Sequence, residues 1–407
     1  MNIRLEMKIL FAHTPPDLYG ASRSLLRLTT RLVQDGNFVY VILGDDGPLR
    51  PALENAGVTV RVCPQLAMID RRKYATFAGW LKLGFSFVVS LVQIGRIAGK
   101  FKPDIIHTNN SLILTPCVVA KLYRIPHVWH IREVFADFSG LWKRYQRFVV
   151  FFSTRIICVS HVVAEQFTLS RAWQKLSILH NGFPVAEFPE IPASRVNDFR
   201  ARYKLDGNPL IGLVGRIKIG RKGQDVFLKA AAGIKSRFPN ARFMLIGSPF
   251  PGNEHHLDIV QNLIQELGLN NEVIYTGDVD DIKTAYAALD ISVQASVLPE
   301  AFSGVVIEAM AMGKAVVASN CGSTKEQIEH GKSGILVDPG DPSQLESALR
   351  SLLEDETLRQ ELGGNARKKF LENFEFEKFY NKMCAVYSSI LQTAGGLDED
   401  IHRTVER

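Results

Sequence analysis

The feature that most restricts this chain is the regular return of short β-branched apolar runs with helix-length segments between them. In the first half the runs are MKILFAH, FVYVILG, VTVRVCP, DIIHTN, HVWHI, RIICVS and LSILHNG. Helical patterns such as SRSLLRLTTRLVQDG, which stops on Gly36, separate them. A Pro-punctuated segment, GFPVAEFPEIPASRVND, breaks the pattern and reads as a linker. The pattern resumes with LIGLVGRI, RFMLIG, EVIYTG, ISVQAS, AVVAS and GILVD. Strands apolar on both faces and separated by helices pair in parallel, because helices on each side of the sheet are needed to cover them. Two such sets in tandem predict an α/β chain of two doubly wound domains. Ligands are expected at the carboxyl ends of the strands, in the cleft between the domains. A length of 407 residues agrees, being long for one core.

Composition excludes several classes. With 46% hydrophobic and 22% charged residues the chain is an ordinary globular one. Cys63, Cys117, Cys158, Cys321 and Cys384 are scattered, with no CxxC. They read as reduced thiols in a cytosolic compartment, without a disulfide framework or zinc site. The opening MNIRLEMKILFAHTPP has too short an apolar run for a signal peptide. Between Lys82 and Arg96 lie 13 uncharged residues, LGFSFVVSLVQIG. A spanning helix needs roughly 20, so no membrane span is expected.

Charge is unevenly placed. Residues 1–190 carry 23 Lys and Arg against 13 Asp and Glu, a net +10, and the remainder carries 25 against 29, a net −4. Residues 71–102 hold seven basic residues and no acid, and residues 138–155 mix four basic residues with aromatics. Two readings stay open: solvated faces of ordinary amphipathic helices, or a surface that leans on anionic lipid headgroups. No recognised nucleic-acid motif accompanies the charge, so nucleic acid is not an expected partner.

Familiar phosphate and metal motifs fail on inspection. Only Gly20 follows the first strand, so the GxGxxG of a dinucleotide site is missing. EQIEHGKS ends like a P-loop, but Glu326 stands where its first glycine belongs. HExxH, GxSxG and EF-hand loops do not occur, and single histidines such as His107 and His161 read as core or surface residues. Two segments remain. LVGRIKIGRKGQDVFLKA places Arg216 at a strand end, Lys222 six residues later and Gly223 before a helix. Two cations and a helix start can cradle a diphosphate, although a solvent-exposed basic turn has the same sequence. LPEAFSGVVIEAMAMG repeats the arrangement, with Ser303 and Gly304 opening a helix. In it Glu308 interrupts an apolar run; an unpaired buried carboxylate is costly, so it must reach solvent or meet something polar.

The Glu-x7-Glu pattern EAFSGVVIE, followed by AMAMGKAVVAS, stands with GRIKIGRKG, CGSTKEQIEHGKSGILVDPGD, VWHIRE and the opening HTPPDLYGASRSLLRL. In this order they make the chain resemble the retaining glycosyltransferase family 4, of GT-B fold, over nearly its whole length. The resemblance implies that Glu308 meets the ribose of a nucleotide and Glu300 the hydroxyls of a hexose. Arg216 and Lys222 would bind the diphosphate, Gly20 would approach the donor phosphates, and His130 would line the sugar pocket near the transfer centre. Phe302, Ser303 and Gly304 would form the loop whose amides face sugar and phosphate.

It implies a metal-independent hexosyltransferase with a UDP or GDP sugar as donor substrate and no cofactor. The acceptor would be a glycan or lipid-linked molecule of cell-surface polysaccharide synthesis, handled in the cytoplasm or peripherally on the inner face of the cytoplasmic membrane. Residues 1–190 would bind the acceptor, 191–373 the nucleotide sugar, and 374–407 would cross back onto the first domain. Some positions depart from the family pattern. The Arg216–Lys222 spacing is one residue longer, so Arg221 could share the lysine's role. Ser303 and Ser323 stand where glycine is usual, and Ala21–Ser22 follow Gly20. These departures bear on which sugar is used. Two other readings are a non-catalytic subunit that binds nucleotide sugar and a GT-B sugar-nucleotide epimerase.

Overall fold

The computed structural model describes residues 6–69, 77–135, 139–205 and 207–405. Arg71, Arg72 and Lys73, part of the first basic stretch, lie outside the described residues. The chain divides into two compact units, Met1–Asn181 with Phe379–Arg407, and Gly182–Lys378.

The first unit is built on seven strands: β1 (Lys8–His13), β2 (Phe38–Leu43), β3 (Thr59–Val62), β4 (Ile105–Thr108), β5 (His127–Ile131), β6 (Arg155–Cys158) and β7 (Leu176–Ile178). Their order is β3-β2-β1-β4-β5-β6-β7, all in parallel. The second unit has β8 (Leu210–Val214), β9 (Arg242–Ile246), β10 (Val273–Gly277), β11 (Ile291–Gln294), β12 (Ala315–Ser319) and β13 (Ile335–Val337). Their order is β10-β9-β8-β11-β12-β13, again in parallel. All thirteen come from the expected apolar runs. In each sheet the winding reverses beside the first strand, between β1 and β4 and between β8 and β11. At such a reversal the flanking loops turn to opposite faces and leave a crevice at the strand ends. Central strands such as β5 and β12 are buried along their whole length, which is why they carry no alternation of polar residues.

Two expected boundaries move. The Pro-punctuated segment is not a free linker from 182 onward. Phe183 and Phe188 are buried in the second unit's core, with the Phe188 ring 5.8 Å from that of Phe370. The Phe183 amide donates to the Phe374 carbonyl at 2.9 Å, and the Phe376 amide donates to the Phe183 carbonyl at 3.1 Å. The two crossing segments are therefore pinned to each other within the second unit, and the division falls after Asn181 and after Lys378 rather than at 190 and 373. Burying aromatic rings outweighs the turn signals of the prolines.

From Phe379 on, the last helix belongs to the first unit. Met383 and Tyr387 are fully buried there, and the Tyr380 hydroxyl donates to Asp35 at 2.7 Å. The 13-residue uncharged run also proves to be part of a longer element. Helix Phe77–Phe101 is long and apolar enough to cross a membrane by length and composition, where no such helix was expected. One face of it packs on the first sheet: Ile94 and Ala98 join a core with Leu10, Ile42 and Ile106.

Candidate functional site

The residues singled out by sequence fall into two sets, one in each unit. In the second unit the loop after β8 carries Arg216 through Lys222. Buried Gln224 ties this loop down, donating to the Arg216 carbonyl at 2.9 Å and accepting from the Lys218 amide at 3.3 Å. The Arg216 guanidinium lies over the Phe250 ring, 4.7 Å from its centroid. Gly223 closes the loop at φ +70°, and a Cβ there would stand 1.8 Å from the Ala295 carbonyl oxygen. No side chain fits, so this glycine sets how closely the loop approaches the end of β11.

That approach brings Lys222 to Glu300. The Lys222 Nζ donates to Glu300 Oε1 at 2.6 Å, and the Ser296 hydroxyl donates to the same oxygen. The carboxyl is 12% exposed. Burial pushes its pKa up, but the Lys222 charge, the hydrogen bonds from Lys222 and Ser296 and the charge of Arg221 together hold it below the usual carboxylate range. Glu300 is therefore ionised at neutral pH. Arg221 acts on it through charge, while Lys222 makes the direct bond. A second glycine fixes the carboxylate's backbone: a Cβ on Gly322, at φ +64°, would lie 2.4 Å from the Glu300 carbonyl oxygen.

Glu308 sits on helix Gly304–Ala311 between buried Ile307 and Ala309. It is half-buried, and its Oε2 accepts a hydrogen bond from the Tyr286 hydroxyl at 3.1 Å. A phenol 22 residues away in sequence, together with partial exposure, makes a carboxylate tolerable inside an apolar run. Phe302, half-buried, packs its ring 5.9 Å from Phe374. Ser303 precedes that helix and is fully buried; Gln327 donates to its carbonyl at 3.0 Å. The hydroxyls of Ser303 and Ser323, the two serines at glycine-type positions, are both buried without a hydrogen-bond partner.

The first unit holds Gly20 and His130. Gly20 opens helix Gly20–Gln34, and the space its missing side chain would fill is empty. His130 lies on β5, fully buried, with Nε2 lacking a partner. Burial, then the charge of Arg132, then His107 keep it neutral well below the usual histidine range. A polar chain runs to His130 from Ser22, two residues beyond Gly20 on the same helix. Ser22 Oγ lies 3.0 Å from His13 Nε2, and His13 Nδ1 lies 3.1 Å from Asn109 Nδ2. Arg132 donates to Asn109 Oδ1 at 2.9 Å, to Asn181 Oδ1 at 2.7 Å and to Ser24 at 3.1 Å, and approaches His130 Nδ1 at 3.4 Å.

Sequence reading missed Arg132, although it stands within VWHIRE. A basic residue two places after a buried histidine, at a strand end, was the available signal. It missed Tyr286 and Ser296 for want of any local signal. Among the described residues, no group of three or more His, Cys, Asp or Glu is placed to hold a metal ion.

Residues 19–187 match the model of Glycosyltransferase Family 4, and residues 195–369 match that of Glycosyl transferases group 1. Both halves are glycosyltransferase domains, and the fold is GT-B. An uncharacterized glycosyltransferase of Methanocaldococcus jannaschii is 28% identical over 317 residues, covering 74% of this chain and 78% of that protein. The lipopolysaccharide core biosynthesis mannosyltransferase LpcC of Rhizobium leguminosarum is 29% identical over 215 residues, 53% of this chain and 60% of that one. The crystal structure of Anabaena HepE in complex with UDP-glucose is similar with a TM-score of 0.80 at 25% identity, covering 94% of this chain and all of that one. Within this GT-B chain, Arg216, Lys222, Glu300 and Glu308 all lie in the group 1 match, and Gly20 and His130 in the family 4 match.

Proposed function

We propose that this protein is a retaining, metal-independent hexosyltransferase. It moves a sugar from a nucleotide-diphosphate donor to a glycan or lipid-linked acceptor in cell-surface polysaccharide synthesis, at the cytoplasmic face of the membrane. The observation that carries the reading is the Lys222–Glu300 pair, held between two loops that glycine alone can bring together. In the absence of donor the two groups neutralise each other. A diphosphate offers Lys222 a stronger anionic partner and turns the Glu300 carboxylate toward the sugar hydroxyls. A mannosyltransferase among its relatives and a similar structure in complex with UDP-glucose support a nucleotide-sugar donor.

Cleaving the bond between anomeric carbon and phosphate builds negative charge on the diphosphate and positive charge on the sugar. Arg216, Lys222 and the N-terminal ends of helices Gln224–Lys235 and Gly304–Ala311 stabilise the first. With no carboxylate assigned as nucleophile, retention follows from attack on the face the diphosphate leaves, its oxygen taking the acceptor's proton. The second unit then holds the donor and the first unit the acceptor.

Two measurements test this. Glu308→Ala is expected to weaken nucleotide binding by about 1–3 kcal/mol, the scale of hydrogen bonds to a charged acceptor, with the fold retained. An unchanged affinity by calorimetry removes the ribose role. Transfer is expected to survive excess EDTA, because the two cations carry the role a divalent ion has elsewhere. Activity lost to EDTA and restored by Mg²⁺ or Mn²⁺ would overturn the leaving-group assignment.

A further inference from the structure

Helix Phe77–Phe101 has two faces of different character. On the inner one, Leu83, Ser86, Ser90, Ile94 and Ala98 are buried; Ser90 Oγ lies 3.1 Å from Thr115 Oγ1, and Ser86 donates to Gln65 at 2.9 Å. On the outer one Phe77, Trp80, Leu81, Phe85, Val88 and Val92 are between 45% and 79% exposed. Apart from the adjacent Trp80 and Leu81 they are spaced by three and four residues, which sets them in one stripe along roughly 23 Å of helix. Single exposed apolar residues are ordinary, but a continuous stripe of large ones marks a contact surface.

The charge beside the stripe is of one sign. Lys82, Arg96 and Lys100 are exposed on the same helix, and no acidic residue occurs between 71 and 103. In the other basic stretch Phe151 is exposed, but two of its aromatics are not available to a surface. Trp142 turns inward, stacked 4.3 Å from Phe135, with its indole N–H donating to the Gln166 carbonyl at 2.8 Å, and Phe148 packs 6.0 Å from buried Trp129.

We propose that the outer face of helix Phe77–Phe101 lies in the plane of an anionic lipid bilayer, its apolar stripe sunk at the boundary of headgroups and acyl chains and its cations against lipid phosphates. An apolar face beside an acid-free basic one is what such a surface takes up, each apolar side chain adding burial and each cation an attraction to the anionic headgroups. Although long enough to span, the helix cannot do so while Ser90 and Ile94 remain packed in the unit. Contact by charge alone would release in high salt, since screening acts over about 8 Å at physiological ionic strength. A buried apolar stripe resists that release. The inference rests on the peripheral-membrane part of the function proposed above. It is measured with no donor or acceptor present, so its failure leaves the transferase reading standing.

The experiment is co-sedimentation with vesicles of phosphatidylcholine and of phosphatidylcholine mixed equally with phosphatidylglycerol, at low and high salt. Binding to the anionic vesicles is expected, reduced but not abolished by salt. Brominated acyl chains should quench a fluorescence component that Trp80→Phe removes. Phe85→Ser with Val88→Ser should lower partitioning by about tenfold or more while melting temperature and nucleotide affinity stay unchanged, because both side chains point outward. Lys82→Glu with Arg96→Glu should bring anionic binding down to the neutral-vesicle level.

No binding to either vesicle, or an unchanged partition of the serine variant, overturns the proposal. Complete release by salt without quenching overturns insertion and leaves headgroup contact. Self-association in solution that the serine variant abolishes would make a second copy of the chain the occupant and also overturn it.

Discussion

Replacing Lys222 by Met is expected to slow sugar transfer by about 10²–10³-fold, the scale seen when one preorganised group that stabilises developing charge is removed. Under the proposed roles the effect should exceed that of Glu308→Ala, because the lysine would act where charge accumulates and Glu308 only where the nucleotide would be held. The same substitution leaves Glu300, 12% exposed, without its cation. A buried charge deprived of its partner costs several kcal/mol or takes up a proton. Rate and stability therefore have to be separated. Adding Glu300→Gln to Lys222→Met should recover melting temperature, since a neutral amide needs no counter-ion, while transfer stays low. A single variant that transfers within a few-fold of the parent protein would remove Lys222 from the leaving-group site. Recovery of both properties in the double variant would mean that the pair serves the fold alone.

Acidification from pH 7 to pH 5 is expected to destabilise the first unit by several kcal/mol. His13, His107, His127 and His130 are all fully buried there. Burial lowers the pKa of His13 and of His127 to about 3, and carries His107 and His130 well below the usual value, with the Arg132 charge adding to both. The folded forms stay neutral while the unfolded chain protonates near pH 6.5. Between about 6.5 and 3 the unfolded state therefore binds more protons, and stability falls as pH falls; above 6.5 these groups contribute no pH dependence.

At pH 5 each such histidine removes about 2 kcal/mol, so His13 and His127 alone remove about 4 kcal/mol. Net stabilities are about 5–15 kcal/mol, so unfolding becomes accessible. Urea melts at pH 7.5, 6 and 5, followed by Trp129 fluorescence in a variant lacking the other tryptophans, check this. Equal midpoints at pH 7.5 and 5 would show that the four rings protonate without cost. Glu300 pushes the same way in the second unit, but only below the ordinary carboxylate range, since its folded pKa is lowered.

All thirteen strands were legible because a buried strand is written in consecutive residues, and neighbours in sequence decide whether it can pair on both faces. The Glu300–Glu308 spacing and the Arg216–Lys222 loop were legible for the same reason: each lies within a few turns of chain. What surrounds them was not. Lys222 meets Glu300 across 78 residues, Tyr286 meets Glu308 across 22, and Arg132 meets Ser24 across 108. Such pairings follow from the order of strands in the sheet, and nothing local encodes that order.

Orientation was equally hidden. Trp80 and Trp142 both stand in basic, acid-free, aromatic stretches, yet one is 61% exposed and the other 7%. Trp142 has Phe135 and the Gln166 carbonyl to receive it, while the helix that carries Trp80 turns other residues inward, Leu83, Ser86 and Ser90 among them. Phe183 and Phe188, in a segment that reads as linker, became core because the Phe370 ring packs on Phe188, the backbone of Phe374 pairs with Phe183, and all four join one apolar cluster. Period and punctuation follow from bonded geometry within a few residues; a side chain's partner depends on which surfaces the rest of the fold leaves open, and only tertiary packing settles that.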